Sequence, residues 1–317
     1  MTNKIYKYVS SSVFDKIFEE EGTCSIKCSL PKDYNDPYEL FLTLDFNQKP
    51  DILAYYLETI GEITQKPTSC FSRSPVVIPM WAHYANNHDG FVIEIDQDKL
   101  LELFPEIGIG DIDYKEEPDD GILNKLEWAY GTCKPRHVYF FQRAVLSAAY
   151  YTKDICWEYE QETRIVLNDG MIKQKKGHML FGIPYCCITS IISGIRNSNM
   201  FKNSLREKCY TIGCNFYEMK IGRLSAKPFL INNSNESYSF IDSKITANSF
   251  FCEKCLEPIS SEIEKCSWCS INKYHKQNAA YKNPMRLIAD AGLLKGYYQD
   301  MENISKRNKI PSKSSKN

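Results

Sequence analysis

Two short cysteine pairs near the C-terminus constrain this 317-residue chain more than any other feature of its sequence. Cys252-x-x-Cys255 and Cys266-x-x-Cys269 are separated by ten residues that include turn formers. Each pair can offer two thiolates to one tetrahedral ion, as in a structural zinc ribbon. Two coincidental turns or a redox dithiol are the alternatives, but a redox motif needs only one pair, at the start of a helix. The spacing therefore predicts zinc bound by four cysteines in a ribbon at residues 250–275. Such a closed site leaves no position for a substrate.

The composition predicts a cytoplasmic protein without a membrane segment. Hydrophobic residues make up 43% of the chain, which is enough for a sizeable core. The nine cysteines outside the ribbon lie mostly in apolar runs, as reduced and buried thiols do. No run approaches eighteen apolar residues, and the N-terminus lacks the apolar stretch of a signal peptide.

The net charge of −1 conceals an uneven distribution along the chain. Residues 276–317 contain nine Lys/Arg against three Asp/Glu, whereas residues 1–249 carry a net charge of −6. A basic tail attracts phosphate backbones, so the sequence predicts contact with nucleic acid through this tail. A solvated, disordered terminus at residues 305–317 is the alternative.

Hydrophobic periodicity predicts helices and strands that interleave irregularly. Strands are expected at Lys4–Val9, Thr68–Ser72 and Gly90–Asp96, and a longer helix at His137–Tyr151. We therefore predict a mixed-sheet α+β domain at residues 1–230, followed by the ribbon and a helical basic tail at residues 276–317. The segment between domain and ribbon, residues 231–249, is rich in Asn and Ser and is predicted to be a linker.

The most acidic motif is Trp157-Glu-Tyr-Glu-Gln-Glu-Thr-Arg164, within a segment predicted to be a strand. On a strand, Glu158, Glu160, Glu162 and Arg164 would share one face. A solvated sheet face with Arg164 paired to Glu162 is one interpretation. The other is that two carboxylates at i, i+2 bind sugar hydroxyls and stabilise positive charge at an anomeric carbon.

Two further segments contain residues suited to a binding site. Ser72 ends a predicted strand and is consistent with a pocket wall, although no partner base is visible for it as a nucleophile. His83 and His88 are five residues apart, which does not suit a metal-binding pair on one helix. A half-buried His83 beside Trp81 and Tyr84 is expected, either as part of the core or as a residue lining a pocket.

Several of these segments occur together, in an order that resembles a known family. The segments are Lys7-Tyr8, Tyr34-Asn-Asp-Pro-Tyr-Glu39, Cys70-Phe-Ser72, Met80-Trp-Ala-His-Tyr-Ala85, His88-x-Gly90, Trp157-x-Tyr-Glu-x-Glu-x-Arg164 and Ile192-Ser-Gly194. Together they resemble the bacterial family called domain of unknown function 2971 (DUF2971), over roughly residues 4–225. The ribbon and the basic tail lie outside this resemblance.

The order of the motifs is also similar to that of ADP-ribosyltransferases of the arginine-serine-glutamate class. This more distant resemblance implies an ADP-ribosyltransferase-like fold and NAD as the substrate. Where that class keeps an Arg or His on its first strand, this chain has Lys7 and Tyr8. The resemblance also suggests a toxin or phage-defence effector, because such families occur in bacterial defence loci.

The resemblance assigns roles to individual residues. Glu162 would be the catalytic acid that binds the ribose hydroxyl, Glu160 would orient or deprotonate the acceptor, and Arg164 would support both. The residues expected to line the NAD pocket are Tyr8, Ser72, Trp81, His83 and Tyr84. The alternative function is a non-catalytic zinc-ribbon binding protein, whose main domain recognises a ligand or partner while the ribbon and the tail contact nucleic acid.

Overall fold

The computed structural model describes residues 3–34, 36, 43–61, 63–118, 120–260 and 263–308. The chain divides into two units, one comprising Met1–Phe251 with Leu256–Ser260, the other comprising Cys252–Cys255 with Ser261–Asn317. Most of the motif Tyr34-Asn-Asp-Pro-Tyr-Glu39 lies outside the described residues, as does the end of the basic tail at 309–317.

The strands alternate with helices along the first unit. The strands are β1 Lys4–Ser10, β2 Thr23–Cys28, β3 Thr68–Ser72, β4 Gly90–Asp96, β5 Gly108–Asp111, β6 Asp113–Lys115, β7 Thr152–Asp154, β8 Glu162–Val166, β9 Lys173–Lys175, β10 His178–Pro184, β11 Ile188–Ser193, β12 Asn215–Lys220, β13 Phe229–Asn232, β14 Ser237–Ile241 and β15 Lys244–Ala247. The helices are α1 Phe14–Ile17, α2 Pro50–Gly61, α3 Ile78–His83, α4 Gln97–Leu103, α5 Asp120–Thr132, α6 Pro135–Tyr151, α7 Asn199–Ile212, α8 Lys273–Tyr281, α9 Pro284–Asp290 and α10 Leu294–Asn308.

Among the described strands, ten form one mixed sheet in the order β15-β14-β13-β12-β11-β4-β1-β3-β8-β5. Strands β11 and β12 run parallel, and the other neighbours in this sheet are antiparallel. A separate three-stranded sheet, β2-β10-β9, and a parallel pair, β6-β7, complete the strand pairing of the described residues. The structure thus confirms a mixed α+β domain with a large sheet.

Alternation along the strands gives the large sheet two buried faces. Ile5, Phe71 and Ile165 belong to the core on one face, together with residues of β2 and β10. Tyr6 and Tyr8 belong to a smaller core on the other face, which is covered by Met80 and Trp81 of α3. Helices α2, α5 and α6 form a third cluster of their own.

The predicted linker at 231–249 was wrong. This segment contains β14 and β15 and the end of β13, which extend the sheet. Its Asn and Ser residues lie both in the turns, as Asn233, Ser234 and Ser243 do, and within strand β14, as Ser237 and Ser239 do. The apolar side chains of Tyr238, Phe240 and Ile245 pack against the smaller core, so the strands are stabilised by burial that composition does not reveal.

No helix in the described part of the chain is long and apolar enough to cross a membrane.

Candidate functional site

A cavity of about 180 Å³ opens where two neighbouring strands of the large sheet separate. Strand β1 pairs with β4 along its whole length, but it pairs with β3 only at Tyr6 and Ser72. Beyond that point Lys7 Nζ donates to the Cys70 carbonyl oxygen at 2.8 Å. If β1 and β3 stayed paired, this carbonyl would accept a backbone hydrogen bond from the neighbouring strand; here the Lys7 ammonium takes that place. The divergence therefore opens a polar cavity inside the fold without an unpaired carbonyl at Cys70.

The register of three strands brings the predicted residues to one side of the sheet. Tyr6 pairs with Ser72, which in turn pairs with Glu162. Cys70 pairs with Arg164 in the same ladder. Because residues directly opposite each other share a face, Glu162 and Arg164 lie on the face that carries Tyr6 and Tyr8. The prediction that Glu162 and Arg164 share one face is confirmed.

Two carboxylates of the cavity bind the same ammonium. Lys153 Nζ donates to Glu160 Oε2 at 2.7 Å and to Glu162 Oε2 at 3.1 Å. Glu160 is 2% exposed and Glu162 3% exposed, so the acid pair is shielded from bulk water. Burial alone would lower the pKa of Lys153, but the two carboxylates raise it well above its usual value. Lys153 therefore stays charged and keeps the two acids together.

Each carboxylate of the pair also has a second donor. Arg164 Nε donates to Glu162 Oε1 at 2.7 Å, and Tyr84 Oη donates to Glu160 Oε1 at 2.7 Å. Burial raises the pKa of Glu162, and the Lys153 ammonium opposes that shift. Burial lowers the pKa of Arg164 to about 10. The four charged groups are buried, which makes their mutual interactions stronger than those of surface ion pairs.

Glu160 reaches the cavity in a different way from the one predicted. Residues Ile155–Glu160 form a 3-10 helix, and the strand begins only at Glu162. Gln161, between them, has a left-handed backbone with φ of 47°. The alternating pattern fails here because the Ser72 hydroxyl donates to the Glu160 carbonyl oxygen at 2.7 Å and holds the turn. The third acid of the motif, Glu158, is exposed to solvent.

The residues predicted to line an NAD pocket divide into two groups. Tyr8 and Tyr84 line the cavity, whereas Ser72, Trp81 and His83 are not among the described residues that line it. The Ser72 hydroxyl is directed at backbone atoms of the turn. Trp81 is fully buried and donates its Nε1 to the Pro75 carbonyl oxygen at 2.8 Å. His83 is exposed rather than half-buried.

Several residues of the cavity were missed from sequence. Lys153 comes from the short strand β7, and its ammonium lies 4.6 Å from the ring centroid of Trp157. Tyr34 places its ring 4.7 Å from the Arg164 guanidinium. The position of Lys153 a few residues before the acidic motif was the one indication in the sequence that it belongs to the site. A single lysine forms no periodic pattern, so the sequence did not distinguish it from a surface residue.

Lys7 also lines the cavity. Its ammonium donates to the Ser69 hydroxyl at 3.1 Å and to the Cys70 carbonyl oxygen, and it lies 5.2 Å from the Phe71 ring centroid. Burial lowers the pKa of Lys7. Burial shifts the pKa of the Cys70 thiol in the opposite direction and raises it, so this thiol is protonated and a poor nucleophile.

The second unit brings the four predicted metal ligands together. The Sγ atoms of Cys252, Cys255, Cys266 and Cys269 all lie within 4.8 Å of one another. Sulfurs held tetrahedrally at ~2.3 Å from one zinc ion are ~3.8 Å apart, and the Cys255 and Cys266 Sγ atoms are 3.8 Å apart. Burial would raise the pKa of Cys252, but backbone amide donors outweigh it and lower this pKa to about 6. The cluster therefore fits a metal ion such as zinc.

Comparison with known proteins gives a family match over part of the first unit. No curated protein and no solved structure matches the chain. A family model described as "Protein of unknown function (DUF2971)" matches residues 80–165. The matched region includes Tyr84, Lys153, Glu160 and Glu162 of the cavity, together with helices α5 and α6. Over residues 80–165 the chain is therefore similar to the DUF2971 family.

Proposed function

We propose that the cavity binds the ribose of NAD and that the first unit is an ADP-ribosyltransferase-like or NAD-cleaving enzyme. The observation that carries this proposal is the buried acid pair Glu160 and Glu162, joined by one ammonium at the wall of a polar cavity. Paired carboxylates at a sugar site can hold hydroxyl groups and stabilise a cationic anomeric carbon.

In the proposed reaction the bond between ribose C1′ and the nicotinamide nitrogen breaks, and its electron pair leaves with nicotinamide. Glu162 accepts a hydrogen bond from a ribose hydroxyl, and its negative charge stabilises the positive charge that develops at C1′. Glu160 accepts the proton of the acceptor, or of water, as that oxygen or nitrogen bonds to C1′. The products are nicotinamide and an ADP-ribosylated acceptor or free ADP-ribose.

The charges around the acid pair limit how this chemistry works. Glu160, Glu162, Lys153 and Arg164 together carry no net charge, so stabilisation of the cation depends on which groups lie nearest to C1′. Lys153 and Arg164 fix the carboxylate oxygens in place, which reduces the reorganisation needed during the reaction. In this proposal they are positioning residues.

The size of the cavity indicates which part of the ligand enters it. Sites for drug-sized ligands typically enclose ~300–1,000 Å³, whereas this cavity is about 180 Å³. We therefore propose that the nicotinamide riboside end enters and that the adenosine half lies outside. Trp157 and Tyr34, which line the cavity, offer rings against which a flat nicotinamide can stack.

The test is release of nicotinamide from ring-labelled NAD by purified full-length protein, alone and with candidate acceptors. Glu162→Gln and Glu160→Gln are expected to lower turnover by about 10²–10⁴-fold, the range for a positioned acid or base. Glu158→Gln is the matched control, since this exposed carboxylate comes from the same motif and should leave turnover unchanged. Thermal melting establishes that each variant is folded. Absence of turnover in wild type with every acceptor would remove the enzyme proposal.

A bacterial toxin or defence role is part of the same proposal and has its own readout. Turnover of NAD in a cell would deplete it or modify a target, so expression of the wild-type chain should inhibit growth. Expression of Glu162→Gln at equal abundance should not. Equal growth inhibition by both chains would show that the toxicity does not depend on this cavity.

One observation favours a second candidate function, a non-catalytic binding protein. All four oxygens of the acid pair already accept hydrogen bonds from Lys153, Arg164 or Tyr84. A fully hydrogen-bonded pair suits recognition of a polar ligand, because a fully satisfied network holds its groups rigidly in place. Binding of ADP-ribose or NAD by calorimetry, without release of nicotinamide, would support this second candidate.

A further inference from the structure

Helices α5 and α6 present an unusual exposed surface that the proposed function does not use. It consists of Trp128 from α5 and Arg136, Tyr139, Phe140 and Arg143 from α6; we call it the aromatic–arginine face. Trp128, Tyr139 and Phe140 are 56%, 57% and 56% exposed. Single exposed aromatic rings are common on protein surfaces, but several on one face mark an interaction site.

The five residues form one continuous surface. Residues 136, 139, 140 and 143 follow the spacing of one helix face and span ~10 Å along the axis. Trp128 stacks on His137, with ring centroids 3.8 Å apart, and Arg136 Nε donates to the Nε2 atom of the same histidine at 3.1 Å. His137 therefore connects the α5 ring to the α6 stripe. The opposite side of α6, including Phe141 and Val145, is buried in the helical cluster, so this face points outward.

The charge of this surface differs from that of the rest of the unit. From Trp128 to Thr152 the sequence contains Lys134, Arg136 and Arg143 and no acidic residue, although residues 1–249 as a whole carry −6. All three cations are exposed. Within the described residues, no carboxylate forms an ion pair with any of them. Their charge is thus available to an anionic partner.

We propose that the aromatic–arginine face binds single-stranded nucleic acid. Each nucleotide offers both groups that this face can recognise, a flat base for Trp128, Tyr139 or Phe140 and a phosphate for Arg136 or Arg143. Stacking on aromatic rings combined with electrostatic attraction is the common mode of sequence-tolerant single-strand binding. In a duplex the bases are already stacked and their faces are not available, so a duplex of the same sequence should bind more weakly.

Charge argues against a second copy of the chain as the occupant. Self-association through this face would bring Arg136 and Arg143 of two chains close together, which is unfavourable. An acidic protein segment would satisfy the cations but would leave the exposed rings without stacking partners. Single-stranded nucleic acid satisfies both features.

The test is fluorescence anisotropy with a labelled 20-nucleotide oligo-dT or oligo-U and full-length protein in 50 and 200 mM salt. Tyr139→Ala combined with Phe140→Ala should weaken binding at least tenfold, in keeping with the contribution of stacked bases. Arg143→Glu should weaken binding and reduce the salt slope by at least ~0.7, the value for one lost phosphate contact on a single strand. These side chains are exposed, so the variants should melt as wild type does.

Matched controls come from exposed residues elsewhere on the same unit. Tyr210→Ala removes an exposed ring of α7, and Lys244→Glu reverses an exposed cation of β15; neither should change the affinity. The basic tail is present in every variant, so its contribution cancels in the comparison. Equal affinity of wild type and the α6 variants, or no binding at 50 mM salt, would overturn the proposal. A dimer in sedimentation that the α6 variants dissociate would assign the face to self-association instead. Equally tight binding of polyglutamate, unaffected by the aromatic substitutions, would also overturn it.

Discussion

Replacement of Lys153 by methionine tests the central feature of the cavity. The substitution keeps most of the side-chain volume but removes the ammonium that lies 2.7 Å from Glu160 Oε2 and 3.1 Å from Glu162 Oε2. The lysine side chain is 8% exposed and both carboxylates are 3% exposed, so the lost partner is replaced at most by water inside the cavity. We expect the variant to be folded but considerably less stable than wild type.

The expected magnitude follows from what remains in place. Removing one partner of a buried ion pair typically costs ~3–5 kcal/mol, since the other charge is left buried. Glu162 keeps its hydrogen bond from Arg164, and Glu160 keeps that from Tyr84. We therefore expect the lower end, about 3 kcal/mol, or roughly a hundredfold shift in the folding equilibrium. With a urea m-value of about 3 kcal/mol/M, the unfolding midpoint falls by about 1 M.

The destabilisation should depend on pH in a defined direction. Burial already raises the pKa of Glu162, and loss of the ammonium raises it further because two carboxylates then repel each other. An acid whose pKa is raised on folding contributes stability below its unfolded pKa, and this contribution is lost as pH rises through the folded pKa. The deficit of Lys153→Met relative to wild type should therefore shrink as the pH falls from 7 toward 5.

Urea unfolding followed by tryptophan fluorescence and circular dichroism measures these differences. Lys173→Met is the control, because Lys173 forms an exposed ion pair with Glu20 on the surface, and such pairs contribute ~0–1 kcal/mol. Glu162→Gln in the Lys153→Met background should recover part of the lost stability. A Lys153→Met variant as stable as the Lys173→Met control at pH 7, or a deficit that grows on acidification, would refute the reasoning.

Four other substitutions test separate parts of the structure. Gly194→Ala should destabilise the protein by about 3 kcal/mol or more, because the added Cβ would lie 2.3 Å from the His88 carbonyl oxygen. Gly131→Ala, where the added Cβ meets open space on α5, should instead stabilise the protein by about 0.5–1 kcal/mol. Thermal unfolding measures both changes. Cys252→Ser should abolish bound zinc by elemental analysis and expose the cysteine segments of the second unit, residues 252–255 and 263–275, to limited proteolysis. The main unfolding transition and any NAD turnover should persist, and loss of turnover with the first unit folded would contradict this independence. Tyr84→Phe removes a donor to Glu160 and should cost about 1.5–3 kcal/mol of stability in urea unfolding; no change would show that this hydrogen bond is replaced by water.

Several strands and helices and the cysteine cluster could be predicted from the sequence, because each depends on a short, repeated pattern of residues. The strand at Thr68–Ser72 is as predicted, and the helix at Pro135–Tyr151 begins only two residues before its predicted start. The four cysteines cluster as their spacing predicted. The common face of Glu162 and Arg164 also follows from the two-residue period of a strand.

Where the pattern failed, contacts distant in sequence were responsible. Glu160 is turned by the left-handed Gln161, and the hydroxyl that holds this turn comes from Ser72, eighty-eight residues earlier. Residues 231–249 form strands because they pack on a core built from β1, α3 and β12. Neither contact produces a periodic pattern in the local sequence from which it could be predicted.

The sequence by itself determined the four-cysteine cluster, the approximate positions of many elements and the acidic motif. Tertiary structure alone decided that the two acids are buried, that Lys153 joins them, and that Ser72, Trp81 and His83 serve the framework or face solvent instead of the cavity. The physical reason is that periodicity reports how a residue is oriented on its own helix or strand. Burial and charge pairing depend on which strands become neighbours, and the separation of β1 from β3 that opens the cavity is a property of the assembled sheet.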